Sequence, residues 1–224
     1  ELAPHLETLI KAHGIAVEGK NIFPLCGEFS AKLVRECVTG SKTAVQAKDI
    51  PARPPVLCAG CPHRGIFYVL SKLKLNVLGD IGCYTLGAVT PLNAMDSVIC
   101  MGASIGMAVG FDKAEDGAYK KTVAVIGDST FIHSGITGLI DAVYNKARVT
   151  VIVVDNRTTG MTGHQNHPAT GKTIKNEPTY PLSIEDVCKA VGVNRVRVVN
   201  PDDVASVESA VKEELVKEEV SVII

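Results

Sequence analysis

Two short segments carry residues whose types and spacing suit chemistry. Gly127-Asp128-Ser129-Thr130-Phe131 follows directly on the apolar run Val123-Ala124-Val125-Ile126. Asp155-Asn156-Arg157-Thr158-Thr159-Gly160-Met161-Thr162 follows directly on Val149-Thr150-Val151-Ile152-Val153-Val154, and a helical pattern lies between the two. Neighbouring parallel strands joined by a crossover end at the same edge of a sheet, so Asp128 and Asn156 are expected close together. A carboxylate, an amide oxygen and a free backbone carbonyl in the following loop are hard oxygen donors. Magnesium takes few protein ligands of this kind and completes its octahedron with water and phosphate oxygens. Gly127 lets a phosphate approach the backbone, and helix amides from about Phe131 onward can face an anion. A Gly-Asp-Ser turn is common by itself, as is an Asn at a strand end. The weight lies in their order on matching elements.

The elements that position these residues follow from periodicity. From Val56 on, short β-branched runs alternate with helical patterns. Strands are expected at Asn76–Leu78, Ser97–Cys100, Thr122–Ile126, Val149–Val154, Arg195–Val199 and Val220–Ile224. Helices are expected at Arg64–Leu73, Ser104–Asp112, His133–Asn145, Ile184–Val191 and Asp202–Glu218, the last opened by Asn200-Pro201-Asp202-Asp203. The two central runs are apolar on both faces, Thr150 apart, which implies a parallel sheet covered by helices. The expected fold is α/β: a doubly wound, mostly parallel sheet with helices on both faces, binding its ligand beyond the carboxyl ends of the strands. Residues 1–50 read as a connecting region with short helices, about Leu2–His13, ended at Gly14, and near Ser30–Cys37. The proline-rich run from Ile50 to Pro55 sets the boundary, and residues 51–224 form the α/β domain.

Composition narrows the class. The 224 residues are 46% apolar and 21% charged, ordinary for a globular protein and unlike a disordered or collagenous chain. With 23 basic against 24 acidic residues there is no basic field for nucleic acid or an anionic membrane. The longest apolar stretch, Ser97–Phe111, is too short to span a bilayer. Seven cysteines in such a chain read as reduced thiols of a cytoplasmic protein. The chain opens at Glu1 and closes inside the apolar run Val220–Ile224, which reads as a piece of a longer protein, a C-terminal edge strand being the alternative.

Gly127-Asp128-Ser129, with 26 residues between Ser129 and Asn156, resembles the cofactor motif of thiamine-diphosphate-dependent enzymes. That resemblance implies that Asp128, the Asn156 side chain and the Thr158 carbonyl hold Mg²⁺, which grips the diphosphate. Cys100-Met101-Gly102-Ala103-Ser104 resembles the segment whose bulky residue, here Met101, props the cofactor in its bent shape. Leu57-Cys58-Ala59-Gly60-Cys61-Pro62-His63-Arg64-Gly65 resembles the Cys-x-Gly-Cys signature of the 2-oxoacid:ferredoxin oxidoreductases, in the form of their indolepyruvate branch. Asp80-Ile81-Gly82-Cys83 and Gly160-Met161-Thr162-Gly163-His164-Gln165 are similar to further segments of that branch. The match runs over about residues 51–200, more weakly over 1–50, and is to the second thiamine-family domain of the branch's large subunit. It implies a cofactor lined by Cys58, Gly60, Cys61, Gly82, Cys83, Met101 and Gly102, and by Gly160, Met161 and Thr162, besides Gly127, Asp128, Ser129, Asn156 and Thr158. His63 is expected to bond a diphosphate oxygen or the substrate carboxylate, and His164 to donate a proton on the substrate side. His133 and His167 crowd the same strand ends.

Zinc could take Cys58, Cys61, His63 and Cys83, although no second Cys-x-x-Cys accompanies the pair. A c-type haem is excluded because Pro62 separates Cys61 from His63. The resemblance implies oxidative decarboxylation of an aryl pyruvate to an acyl-coenzyme A, with electrons passing through [4Fe-4S] clusters to ferredoxin. One close cysteine pair does not make a cluster site, so the clusters are expected elsewhere in the full enzyme. The glutamate that activates the cofactor is expected from a partner pyrimidine domain, and a second subunit from the full assembly. The chain alone is expected to be inactive. The alternatives are another thiamine enzyme, decarboxylase-like or acetolactate-synthase-like, and a non-catalytic domain of this fold.

Overall fold

The computed structural model describes residues 5–42 and 51–224. Leu2, where the first helix was expected to begin, and residues 43–50, including Ile50, lie outside the described residues. The chain forms two compact units, Glu1–Arg53 and Pro54–Ile224. The first carries helices α1 (His5–Ala12) and α2 (Ala31–Thr39), neither of which buries a residue. Ser30 caps α2 by accepting from Leu33 N, and Gly40 ends it in the left-handed conformation at φ 70°.

The second unit begins with α3 (His63–Leu73), β1 (Asn76–Gly79), β2 (Ser97–Val98), α4 (Ala103–Ala114) and β3 (Thr122–Gly127). One α-helical turn, α5 (Asp128–Thr130), then runs through a π-helical turn at Phe131–Gly135 into α6 (Ile136–Tyr144). β4 (Thr150–Val154), α7 (Ile184–Ala190), β5 (Arg195–Arg197), α8 (Val204–Glu214) and β6 (Ser221–Ile223) complete it. The six strands form one sheet in the order β2-β1-β3-β4-β6-β5, and every pairing is parallel. No described helix is long and apolar enough to cross a membrane.

Burial on both faces dictates this arrangement. All residues of β3 and β4 are buried. Val123 and Val125 face Phe67 and Leu70 of α3 and Val211 of α8, while Ala124 and Ile126 face Ile105 of α4, Leu139 of α6 and Cys188 of α7. Alternation with a period of two thus feeds two separate cores, one on each face. β6, an edge strand only in the alternative reading of the chain's last residues, lies between β4 and β5, and β5 takes the edge. Buried Glu214 of α8 anchors that edge, accepting from Arg195 Nε at 2.6 Å and Nη2 at 3.0 Å.

Two helix starts differ from expectation. The helix expected from His133 begins at Asp128, because Gly127 ends β3 and the chain turns helical at once. The last helix starts at Val204 rather than Asp202. Asn200 Oδ1 instead accepts from Asp202 N, and Asp203 is the cap, accepting from Ser206 N. The Pro201 carbonyl packs so closely on α3 that a Cβ at Gly65 would stand 2.2 Å from it.

Phe67 is fully buried in the α3–α8 core. Phe67→Ala is therefore expected to lower the unfolding free energy by about 3–5 kcal/mol, read by urea denaturation; a loss under about 1 kcal/mol contradicts this packing.

Candidate cofactor site

Strand order reverses direction between β1 and β3, since β2 lies to one side of β1 and the remaining strands to the other. In open parallel sheets, ligands sit at such a switch point, beyond the carboxyl ends of the strands. A cleft of about 90 Å³ opens there. β3 and β4 pair as far as Gly127 with Val154, so Asp128 and Asp155 leave the sheet side by side and Asn156 follows. Thr159 Oγ1 donates to Ser129 Oγ at 2.9 Å and ties the two turns together.

Asp128 is the electrostatic centre of the cleft. Its Oδ1 accepts from Ser129 N at 2.7 Å. Its Oδ2 is buried with no hydrogen-bond partner among the described residues, and the same holds for His167 Nε2, which lies 3.1 Å away. Distance alone would pair these atoms, but no hydrogen bond is closed between them. Burial, and next the carboxyl of Asp155, push the Asp128 carboxyl up to about 6. Two facing carboxyl groups and an unsatisfied oxygen form a site that favours a cation. The Asn156 side-chain oxygen lines the same cleft and accepts from Thr158 N at 3.3 Å. Hard oxygen donors of this set fit Mg²⁺. Among the described residues no three His, Cys, Asp or Glu side chains converge on one ion position, which sets the zinc reading aside.

The β1 loop forms the opposite wall. Asp80 is fully buried. Its Oδ1 accepts from Gly102 N at 2.7 Å and Ile81 N at 3.0 Å, and its Oδ2 from Ser104 Oγ at 2.9 Å and Ser104 N at 3.4 Å. A buried anion at the start of α4 is held by helix amides rather than by a cation. It fixes the turn that carries Met101, whose half-exposed side chain lines the cleft.

Of the residues expected at the site, His63, Gly82, Cys83, Met101, Gly127, Asp128, Ser129, Asn156, Thr158, Gly160, Met161 and Thr162 line this one cleft. Cys58, Gly60, Cys61, Gly102 and His164 stand outside its lining. Cys58 and Gly60 are exposed, and the Arg64 guanidinium grips the turn by donating to the carbonyls of Leu57 and Cys58. Gly102 meets Ser134 of the π-helical turn, where a Cβ would be 2.8 Å from its hydroxyl. His164 is exposed and left-handed at φ 62°. His63 is buried at the start of α3, and burial, against the opposing charge of Asp155, holds its imidazole below the ordinary value and neutral at pH 7.

Sequence reasoning missed Tyr84, Thr130 and Thr159 in the cleft, and Asp155 and Asp80 beside it. The Tyr84 ring closes over two glycines: a Cβ would come within 2.3 Å of it at Gly82 and 2.5 Å at Gly127. The Tyr84 ring thus gives Gly127 a packing requirement of its own, besides the phosphate approach expected of it. Because the helix begins at Asp128, its first-turn amides are those of Asp128, Ser129 and Thr130, and the Phe131 amide is already bonded to the Asp128 carbonyl.

Asp80→Ala strands the donors of Ile81, Gly102 and Ser104. It is expected to lower stability by about 2–5 kcal/mol in urea denaturation, with Asp80→Asn costing less; a neutral Asp80→Ala contradicts the assignment. His63 gives a pH signature. The unfolded chain takes up its proton near the ordinary 6.5, before the folded one does. The stability this residue contributes is thus complete above that pH and is lost as pH falls below it. Asp128, raised in the fold, pulls the other way, so the comparison is between wild type and His63→Gln. The acid-side loss should shrink in the variant, and equal slopes contradict a buried neutral His63.

The geometry agrees with comparison to known proteins. Residues 80–224 match the family model described as thiamine pyrophosphate enzyme, C-terminal TPP binding domain. The chain is 39% identical to the indolepyruvate oxidoreductase subunit IorA of Archaeoglobus fulgidus, matching over all of this chain and 39% of that protein. It is 38% identical to the subunit of the same name from Methanothermobacter marburgensis, over 94% of this chain and 36% of that protein. It therefore spans less than half the length of these relatives. A solved 2-oxoglutarate:ferredoxin oxidoreductase from Magnetococcus marinus shares the fold at a TM-score of 0.62 and 17% identity, over 79% of this chain and 64% of that one. With an all-parallel sheet, the cleft at its switch point and a family match covering most of the sequence, the chain belongs to the thiamine pyrophosphate enzyme family, as the C-terminal TPP-binding domain.

Proposed function

We propose that the Pro54–Ile224 unit holds the diphosphate and metal end of thiamine diphosphate within a longer 2-oxoacid:ferredoxin oxidoreductase acting on an aryl pyruvate, in the first place indolepyruvate. The buried, unpartnered Oδ2 of Asp128 carries the proposal, because an anion so placed is stable when a cation meets it. Asp128, the Asn156 side-chain oxygen and the Thr158 carbonyl hold Mg²⁺. Met101 supports the bent cofactor from across the cleft. His63, neutral at pH 7, donates to a diphosphate oxygen or the substrate carboxylate, and His164 supplies a proton from the loop after β4. When bound, thiamine diphosphate supplies the electron sink for decarboxylation of the 2-oxoacid.

The remaining parts belong to the rest of a cytoplasmic assembly. They are a pyrimidine-binding partner domain with the activating glutamate, a second subunit, [4Fe-4S] clusters, and the sites for coenzyme A and ferredoxin. The two IorA relatives, by their name, support the choice of substrate.

Calorimetric titration with thiamine diphosphate, on the chain and on the longer protein containing it, tests this. Binding is expected to require Mg²⁺ and to weaken at least about 100-fold in Asp128→Ala, the loss of a charged metal ligand being worth more than about 2.7 kcal/mol. Binding that ignores both Mg²⁺ and the substitution contradicts the metal site, and no binding in the longer protein contradicts the function. The chain alone is expected to oxidise no 2-oxoacid, and measurable turnover by it contradicts the division of labour.

A further inference from the structure

We infer that His167 is a positioning residue for the metal-binding carboxylate: its Nε2–H fixes the plane of Asp128 when a cation is bound. The inference rests on the proposed Mg²⁺ site and adds a residue to it.

The imidazole is buried, with 4% of its side chain exposed, and is oriented by its own turn. His167 caps the short 3₁₀ turn Pro168–Thr170, and its Nδ1 accepts from Ala169 N at 3.4 Å. The His167 carbonyl accepts from Thr170 N at 2.9 Å and Thr170 Oγ1 at 2.8 Å, and Leu182 N bonds the Pro168 carbonyl at 3.0 Å. A ring nitrogen that accepts a backbone N–H carries no proton, so the ring's hydrogen sits on Nε2. Nε2 is the atom 3.1 Å from Asp128 Oδ2, and neither atom has a hydrogen-bond partner among the described residues.

The carboxylate thus has a donor waiting on each oxygen, Ser129 N on Oδ1 and His167 Nε2 on Oδ2. With Mg²⁺ held by Asp128 and Asn156, the carboxylate would still keep a lone pair on Oδ2 for the imidazole N–H that lies 3.1 Å away. The ring then holds the carboxylate in the orientation the ion needs, against the repulsion of Asp155. Outer partners of metal ligands typically contribute 10- to 100-fold in metal affinity.

The test uses Mn²⁺ as probe, with excess thiamine diphosphate, on the longer protein that contains the chain, free Mn²⁺ being counted by electron paramagnetic resonance. His167→Ala, and His167→Phe in case Ala collapses the turn, are expected to raise the Mn²⁺ dissociation constant about 10- to 100-fold. His167→Gln, which returns an N–H donor at similar reach, is expected to recover most of the loss. At saturating Mn²⁺, thiamine diphosphate affinity is expected to return to the wild-type value in every variant, which a merely structural role would not produce. Nitrogen NMR of the metal-free chain is expected to show His167 protonated at Nε2 and bare at Nδ1. Wild-type Mn²⁺ affinity in folded His167→Ala or His167→Phe overturns the inference, as does the opposite tautomer. Absence of Mn²⁺ binding in the wild type overturns the parent metal site and the inference with it, whereas normal wild-type binding unchanged in the variants overturns the inference alone.

Discussion

The parallel pairing of β3 with β4 is the constraint on which the rest depends. Both strands are buried on both faces, so neither can slip by one residue without exchanging its two cores. The register therefore ends where it must, at Gly127 opposite Val154. From that point the two chains have no ladder to follow, and Asp128 and Asp155 emerge together. A pair of carboxyl groups delivered by two packed strands cannot relax apart as surface groups do. The raised Asp128 carboxyl and its unpartnered oxygen follow from the sheet itself.

The opposite wall solves a different electrostatic problem. Asp80 is also a buried carboxylate, yet its hydrogen-bonding capacity is taken up by Gly102, Ile81 and Ser104. One anion of the cleft is saturated by a helix start and serves architecture. The other is left short of partners and is free to serve a ligand. The contrast separates two residues that look alike as an Asp following an apolar run, and it rests on which backbone amides the topology brings near.

The sheet was legible in the sequence because strands buried on both faces must be written as unbroken apolar runs, as in Val123–Ile126 and Val151–Val154. The nearness of Asp128 and Asn156 was legible for the same reason, through the rule for parallel crossovers. Other features depend on contacts between distant segments, which periodicity does not encode. Tyr84 over Gly127 and His167 against Asp128 are of this kind. The start of the helix at Asp128 was hidden because Asp, Ser and Thr are poor helix formers that serve equally as turn residues. The interior place of β6 was hidden because a short apolar run reads alike in the middle of a sheet and at its edge.

The most direct measurement is anomalous scattering from crystals of the protein grown with Mn²⁺ and thiamine diphosphate. One manganese peak is expected within coordination distance of the Asp128 carboxylate, the Asn156 side-chain oxygen and the Thr158 carbonyl, with diphosphate and water oxygens completing the shell. A cofactor bound in the cleft with its ion elsewhere, or an ion held by the cysteines instead, would contradict it.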